Sequence, residues 1–176
     1  MGVTIVFETH STTEDNERGI ATGWFPGRLS EVGRRQAREL GERRANDGID
    51  AIFSSDLARA RETTEVAFPD AGMPTFFDWR LRECNYGERN GTPSAELDRG
   101  AHVVGPYPGG ESWQHAVNRM NSFLADLRQG WSGRRVLLIG HTATRWALDH
   151  HLLGFPVREL VEAPFDWQPG WEYAVS

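Results

Sequence analysis

Two nearly continuous apolar runs, each followed closely by a histidine, constrain this chain more than any other feature. Val3–Phe7 has the sequence VTIVF and Arg135–Ile139 has the sequence RVLLI. Runs of this kind are typical of strands that are buried on both faces of a parallel sheet. His10 follows the first run and His141 follows the second. We therefore expect the two imidazoles to meet at one edge of a sheet.

The segments between these runs predict helices and strands in alternation. Ser11–Gly27 is expected to be a long polar loop, and Cys84–Val104 to be irregular or a short helix. Alternation of this kind predicts an α/β fold, a three-layer sandwich with a mostly parallel sheet and helices on both faces, in a single domain of residues 1–176. Ligands bind beyond the carboxyl ends of the strands in such sheets. The expected helices are Ser30–Asn46, Leu57–Ala67, Ser112–Gln129 and Ala143–Leu153, and the further strands are Ile49–Phe53, Thr75–Phe77 and an edge strand Trp171–Val175.

Cysteine content and charge limit the class of protein. The single cysteine, Cys84, rules out an internal disulfide and a multi-cysteine zinc site, and it favours a reducing compartment. The first residues show no signal-peptide pattern and no run is long enough to cross a membrane, so we expect a cytoplasmic protein. A net charge of −6 without a basic block argues against a nucleic-acid partner. All 19 basic residues are arginine, whose guanidinium suits bidentate contacts with phosphate or carboxylate.

The paired histidines allow several kinds of chemistry. They could bind a metal, act as acid and base, supply a nucleophile, or only hydrogen-bond the backbone at the sheet edge. A metal is disfavoured, because patterns such as HExxH are missing and the adjacent pair His150-His151 cannot share a helix face. Arg59 lies near a helix start, where anions bind. Glu83, in a loop, could be a general acid or an ordinary surface carboxylate.

Several segments, in the same order along the chain, resemble the signature motifs of the histidine phosphatase superfamily, the phosphoglycerate mutase-like proteins. Thr9–Asn16 resembles R-H-G-E-T-x-x-N, and Leu81–Gly91 resembles L-x-E-x-x-Y-G-x-x-x-G. The other matching segments are Thr22–Trp24, Leu29–Ala37, Phe53–Glu65, Pro108–Ser112 and Val136–His141.

The resemblance implies a mechanism and a set of roles. It implies that His10 attacks a phosphoryl group to form a phosphohistidine and that Glu83 protonates the leaving oxygen, without a metal or another cofactor. Positive charge around the phosphoryl oxygens suits this reaction. The phosphate-binding residues implied are Arg59, His141, Thr9 and Asn16, and the substrate-binding residues implied are Thr22, Gly23, Tyr86 and Thr142.

Departures from the family pattern concentrate beside the two histidines. Thr9 stands where the motif has arginine, and a hydroxyl cannot replace a charged bidentate donor. Ser11 and Thr12 replace the glycine and glutamate that follow, and Thr142-Ala143 replaces a pair of small residues. The pocket is therefore expected to be less cationic than is usual in the family. Arginines that could compensate for Thr9 are Arg28, Arg82 and Arg145.

Three functions remain open. The first is a phosphatase acting on a small soluble phosphomonoester, and the second is a phosphoglycerate-type mutase. The third is a repurposed fold, which would be a lyase, an isomerase or a non-catalytic anion binder. The expected partner is a small phosphorylated or otherwise anionic molecule, with no nucleic acid and no membrane. A homodimer is also possible, with Trp167, Trp171 and Tyr173 either at its interface or packed on their own core.

Overall fold

A computed structural model describes residues 2–70 and 72–176 and contains, along them, seven strands and six α-helices. The strands are β1 (Val3–Thr9), β2 (Ile20–Ala21), β3 (Ala51–Ser54), β4 (Thr75–Phe77), β5 (Thr92–Pro93), β6 (Arg135–Gly140) and β7 (Trp171–Val175). The helices are α1 (Glu14–Glu17), α2 (Glu31–Arg44), α3 (Ala58–Ala67), α4 (Trp113–Gly130), α5 (Thr142–Leu153) and α6 (Val157–Glu162).

Five of the strands form the main sheet, in the order β4-β3-β6-β1-β7. β4, β3, β6 and β1 are parallel, and β7 pairs antiparallel with β1 at one edge. The register pairs Thr9 of β1 with Gly140 of β6, so both strands end at the same level. The segments that begin with His10 and His141 therefore leave the sheet side by side, as the sequence predicts.

The apolar run of β1 contributes to a core on each face of the sheet, because successive side chains of a strand point to opposite faces. Ile5 and Phe7 pack in the larger core with α4, α5 and α6. Val6 packs in the smaller core with Leu40 of α2 and Ala60 of α3. Helices on both faces of a mostly parallel sheet confirm the predicted α/β sandwich.

The predicted long polar loop, Ser11–Gly27, is more ordered than expected. It contains the single-turn helix α1, in which the Thr13 hydroxyl accepts from the Asn16 amide (3.0 Å) and the Asn16 side chain accepts from the Thr13 amide (2.9 Å). It also contains β2, which pairs with β5. This reciprocal cap is hard to recognise in the sequence, because asparagine takes the place of the usual Glu or Gln.

Other boundaries differ by a few residues. The second predicted strand along the chain, Ile49–Phe53, is paired over Ala51–Ser54, and the first predicted helix ends at Arg44 rather than Asn46. The segment Cys84–Val104 has no α-helix; it holds β5 and three short 3₁₀ turns. Helix α6 is not predicted from the sequence.

The aromatic tail packs mainly on this chain's own core. Tyr173 is buried and its hydroxyl donates to Asp149 (2.7 Å), and the Trp171 ring lies 5.6 Å from that of Phe7. Trp167 is exposed. Of the three aromatic residues considered for a dimer interface, Trp171 and Tyr173 thus pack against this chain's own core. Among the described residues, no helix is both long and apolar enough to span a bilayer.

Candidate active site

His10 is fixed by two contacts with backbone carbonyls, one from its main-chain amide and one from its ring. Its amide donates to the Gly140 carbonyl (2.9 Å), and its Nδ1 lies 2.8 Å from the Ser11 carbonyl. A carbonyl can only accept, so Nδ1 carries the proton and Nε2 keeps a free lone pair. Burial, and secondarily the nearby charge of Arg59, lower the pKa of His10 to about 3. The imidazole is therefore neutral at neutral pH, which is the state a nucleophile needs.

His141 lies beside it, directly after β6 and at the start of α5. The two rings have centroids 5.1 Å apart and an interplanar angle of 52°. His141 Nε2 is 2.8 Å from the Ser55 hydroxyl, which itself accepts from the Leu57 amide (3.3 Å). Burial lowers the pKa of His141 well below its usual value. Its Nδ1 has no hydrogen-bond partner among the described residues and remains available to a ligand.

Arg59 is a buried cation in the first turn of α3. One guanidinium nitrogen donates to the Gly23 carbonyl (2.9 Å) and another to the Phe25 carbonyl (3.5 Å). Only 3% of the residue is exposed. Burial lowers the pKa of Arg59, while the charge of Glu83 opposes that shift. Carbonyl partners do not neutralise the guanidinium, so its charge can act on an anion.

Glu83 is a buried carboxylate fixed by backbone amides. Its Oε1 accepts from the Cys84 amide (2.9 Å) and from the Ala143 amide at the start of α5 (3.1 Å). The Glu83 carbonyl accepts from the Trp24 indole (2.7 Å) and the Arg119 guanidinium (2.8 Å). These bonds fix one carboxylate oxygen, and no described residue hydrogen-bonds Oε2.

A cleft with two lobes contains these groups, and His10, Asn16 and Thr142 line both lobes. The narrow lobe, of about 130 Å³, is lined by His10, Arg59 and Glu83, together with the predicted substrate residues Thr22, Gly23, Tyr86 and Thr142. The wide lobe, of about 380 Å³, runs from Thr9 and His141 to the aromatic side chains of Phe165 and Trp167. Every candidate site residue predicted from the sequence therefore lines one lobe or both.

Two of the predicted substrate residues, Thr22 and Gly23, are fixed by local contacts and backbone geometry. The Thr22 hydroxyl donates to Asp15 (2.8 Å), and Gly23 adopts a φ of 56°. A Cβ at Gly23 would lie 1.8 Å from the Asn90 side chain, and the left-handed φ disfavours other residues in any case. Glycine is thus required where the chain turns to present its carbonyl to Arg59.

The three arginines proposed to compensate for Thr9 are held elsewhere. Arg28 pairs with Glu14 (2.8 Å), Arg82 with Asp56 (2.6 Å) and Arg145 with Asp149 (2.8 Å). None of the three lines either lobe. A different arginine, Arg99, lines the narrow lobe. Sequence reasoning missed it because it lies in the aperiodic segment before α4, where no motif marks it.

The adjacent histidines are used in local hydrogen bonds. His150 Nδ1 lies 2.8 Å from the Phe155 carbonyl, and His151 Nε2 lies 2.9 Å from the Val117 carbonyl. Each therefore carries its proton toward a backbone oxygen. Neither residue lines the cleft.

The fold and the cleft define a class of protein: an α/β protein with a pocket at the end of the sheet that is built from two histidines, an arginine and a carboxylate. Residues 5–167 match the sequence profile of the Histidine phosphatase superfamily (branch 1). The chain belongs to this superfamily.

Known relatives and solved structures agree with this assignment. The probable phosphoglycerate mutase GpmB of Salmonella typhi is 33% identical over 157 residues, which cover 84% of this chain and 73% of that protein. A mycobacterial glucosyl-3-phosphoglycerate phosphatase solved with VO3 is 28% identical with a TM-score of 0.80, and the match covers 90% of this chain and 85% of the other. YhfR of Bacillus stearothermophilus is 24% identical with a TM-score of 0.87, over 97% and 90% of the two chains, and supports the fold alone.

Proposed function

We propose that this protein is a metal-independent phosphatase that hydrolyses a small soluble phosphomonoester through a phosphohistidine at His10. The observation that carries the proposal is the fixed Nδ1–H of His10, 2.8 Å from the Ser11 carbonyl. This bond leaves the Nε2 lone pair free in a lobe that is also lined by Arg59 and Glu83. A nucleophile, a cation and an acid thus line one small pocket, as two-step phosphoryl transfer requires.

In the first step, His10 Nε2 forms a bond to phosphorus while the bond from phosphorus to the ester oxygen breaks. Glu83 gives its proton to the departing oxygen, and the alcohol leaves. Arg59 and the Nδ1–H of His141 bind the equatorial phosphoryl oxygens, where negative charge is greatest in the transition state. The carboxyl end of Glu83 is held by two amides, so its free oxygen has a defined position.

In the second step, Glu83 takes a proton from water and the resulting hydroxide attacks phosphorus. The bond between phosphorus and Nε2 breaks, which returns His10 to its neutral form and releases inorganic phosphate. Splitting hydrolysis in this way replaces one high barrier with two lower ones. Arg59 supplies positive charge and the His141 imidazole supplies a neutral N–H donor, so the scheme needs no metal ion.

The similarity to characterised proteins supports a phosphatase of a small metabolite. One structural neighbour is titled a glucosyl-3-phosphoglycerate phosphatase, and the same protein was also solved with inorganic phosphate. The wide lobe gives room for the remainder of a substrate beside the reacting phosphoryl group. Its aromatic wall, Phe165 and Trp167, suits a sugar ring or another flat apolar face.

A panel of phosphomonoesters tests the proposal directly. We expect phosphate release by the wild-type protein, in the presence of a chelator, and its loss in His10→Ala. Rapid quenching during turnover should leave a phosphate on a peptide that contains His10, detected by mass spectrometry under alkaline conditions. Absence of release from every ester, or release that survives in His10→Ala, would overturn the proposal.

A mutase is the second candidate, because the GpmB relatives carry that name. It predicts exchange of label between 2- and 3-phosphoglycerate at a rate above hydrolysis.

The repurposed fold is the third candidate, and Thr9 is the observation that favours it. It predicts tight binding of anions without any phosphohistidine at His10.

A further inference from the structure

Arg99 lies in the segment before α4, between the 3₁₀ turns Ser94–Glu96 and Gly100–His102. It lines the narrow lobe together with His10, Arg59 and Glu83. The β2–β5 pairing anchors the start of the loop that carries Arg99. Arg99 is therefore a second guanidinium in the pocket where phosphoryl transfer is proposed.

The Arg99 side chain is not paired with any residue that the structure describes. It makes no hydrogen bond and no ion pair with any described residue, and its Nε is shielded from solvent without an acceptor. By contrast, Arg28, Arg82 and Arg145 each have a carboxylate. A shielded N–H without an acceptor costs free energy, and buried donors are nearly always satisfied. An acceptor that comes from a ligand resolves this imbalance.

The charge of the pocket points the same way. Thr9, in the wide lobe, supplies no charge. Among the described residues that line the narrow lobe, the cations are Arg59 and Arg99. The charge of Arg59 is opposed by Glu83 and by Asp15. Once Glu83 has given up its proton, its carboxylate lies beside the phosphoryl group on His10, and these negative charges need more positive charge than Arg59 alone supplies. Arg99 is placed to provide it.

We propose that Arg99 binds the phosphoryl group undergoing transfer, and that it substitutes for the arginine that the family motif has at position 9. This inference rests on the proposed function. The second positive charge beside the phosphoryl group thus comes from a residue in the loop before α4 rather than from a residue at the end of β1. Both guanidinium groups belong to residues that line this one lobe of about 130 Å³.

Calorimetric titration with inorganic phosphate and with orthovanadate tests the inference without turnover. We expect Arg99→Met to weaken binding of both anions about 10- to 100-fold, because a charge-assisted hydrogen bond is lost. Arg99→Lys should recover part of this loss. Arg89→Met is the matched control: Arg89 is exposed, lies in the same segment and does not line the cleft, so its affinities should equal those of the wild type.

Kinetics with two esters then identify the group that Arg99 contacts. For p-nitrophenyl phosphate, whose only anionic group is the phosphoryl group, Arg99→Met should lower kcat/KM about as much as for 3-phosphoglycerate. An effect confined to 3-phosphoglycerate would overturn the inference, because Arg99 would then contact the carboxylate.

Failure of the two proposals can be distinguished. Unchanged phosphate affinity in Arg99→Met, with wild-type turnover intact, would overturn the role of Arg99 and leave the phosphatase standing. Arg99-dependent phosphate binding by a wild-type protein that hydrolyses no ester would support the role of Arg99 as an anion-binding residue and remove the phosphatase. A wild type that binds neither anion would overturn both.

Discussion

The Ser55 hydroxyl and His141 Nε2 are joined by a 2.8 Å hydrogen bond between the ends of two neighbouring strands, β3 and β6. The Ser55 hydroxyl accepts from the Leu57 amide and has its own proton to donate to the imidazole. In the proposed mechanism His141 Nε2 is the acceptor of this bond, and Nδ1 carries the proton. In that tautomer the Nδ1–H of His141 is the donor offered to the phosphoryl group.

Ser55→Ala should lower kcat/KM about 10-fold without unfolding the protein, because His141 loses the partner that fixes its tautomer. Steady-state kinetics with p-nitrophenyl phosphate measure this effect. Ser54→Ala is the matched control, since the Ser54 hydroxyl donates to the Ser55 carbonyl and not to a histidine. Equal losses in the two variants would contradict the assigned role of Ser55.

Glu83→Gln should lower turnover about 10²- to 10³-fold for an alkyl phosphate and much less for p-nitrophenyl phosphate. Glutamine can still accept from the Cys84 and Ala143 amides, so the geometry is kept while the acid is lost. The p-nitrophenolate ion leaves without protonation, and this difference isolates the acid role. A comparison of kcat for the two esters gives the result, and equal losses would indicate a purely structural role.

Thr9→Arg should raise phosphate affinity by up to about 10-fold, because the new guanidinium adds a charged donor beside His10. Thr9 lines the wide lobe, which offers space for a longer side chain. Thr9→Gln adds similar length without the charge and should leave the affinity unchanged. Titration with phosphate compares the variants, and equal gains in both would show that charge is not the cause.

His10 should make folding sensitive to acid. Its pKa is about 3 in the folded protein and near 6.5 in the unfolded chain, so between these values the unfolded chain binds a proton that the folded one does not. Stability is therefore lost as pH falls through 6.5. Between pH 7 and pH 5, the free energy of unfolding of His10→Asn should fall by about 1 kcal/mol less than that of the wild type. The figure is reduced for solvent screening, because His10 is partly accessible. Urea unfolding at each pH measures this difference, and parallel pH profiles would contradict it.

The strands and the two histidines could be predicted because their signals are local. An apolar run such as VLLI specifies a buried strand, and the residues after it must lie at the sheet edge. Arg59 and Glu83 also followed from motifs of adjacent residues. These features depend on few tertiary contacts, so a single sequence is enough to locate them.

Arg99 and Ser55 show what local patterns do not contain. Arg99 is one of 19 arginines and lies in a segment without periodicity. Only the tertiary fold places it in the lobe that His10 also lines. Ser55 belongs to the turn that follows β3. Its bond to His141 spans 86 positions of sequence, and no spacing rule predicts it.

The pairing of β1 has a consequence for the order in which the protein is built. β1 precedes the other strands of its sheet in the chain, yet its partners are β6 and β7, so that Thr4 pairs with Arg135 and Val3 with Val175. A growing chain on the ribosome therefore carries His10 long before the strands that hold it in place have been made. Contacts of such separation form slowly. The cleft can be assembled only after β6 has emerged, because β6 pairs with β1 and leads directly into His141.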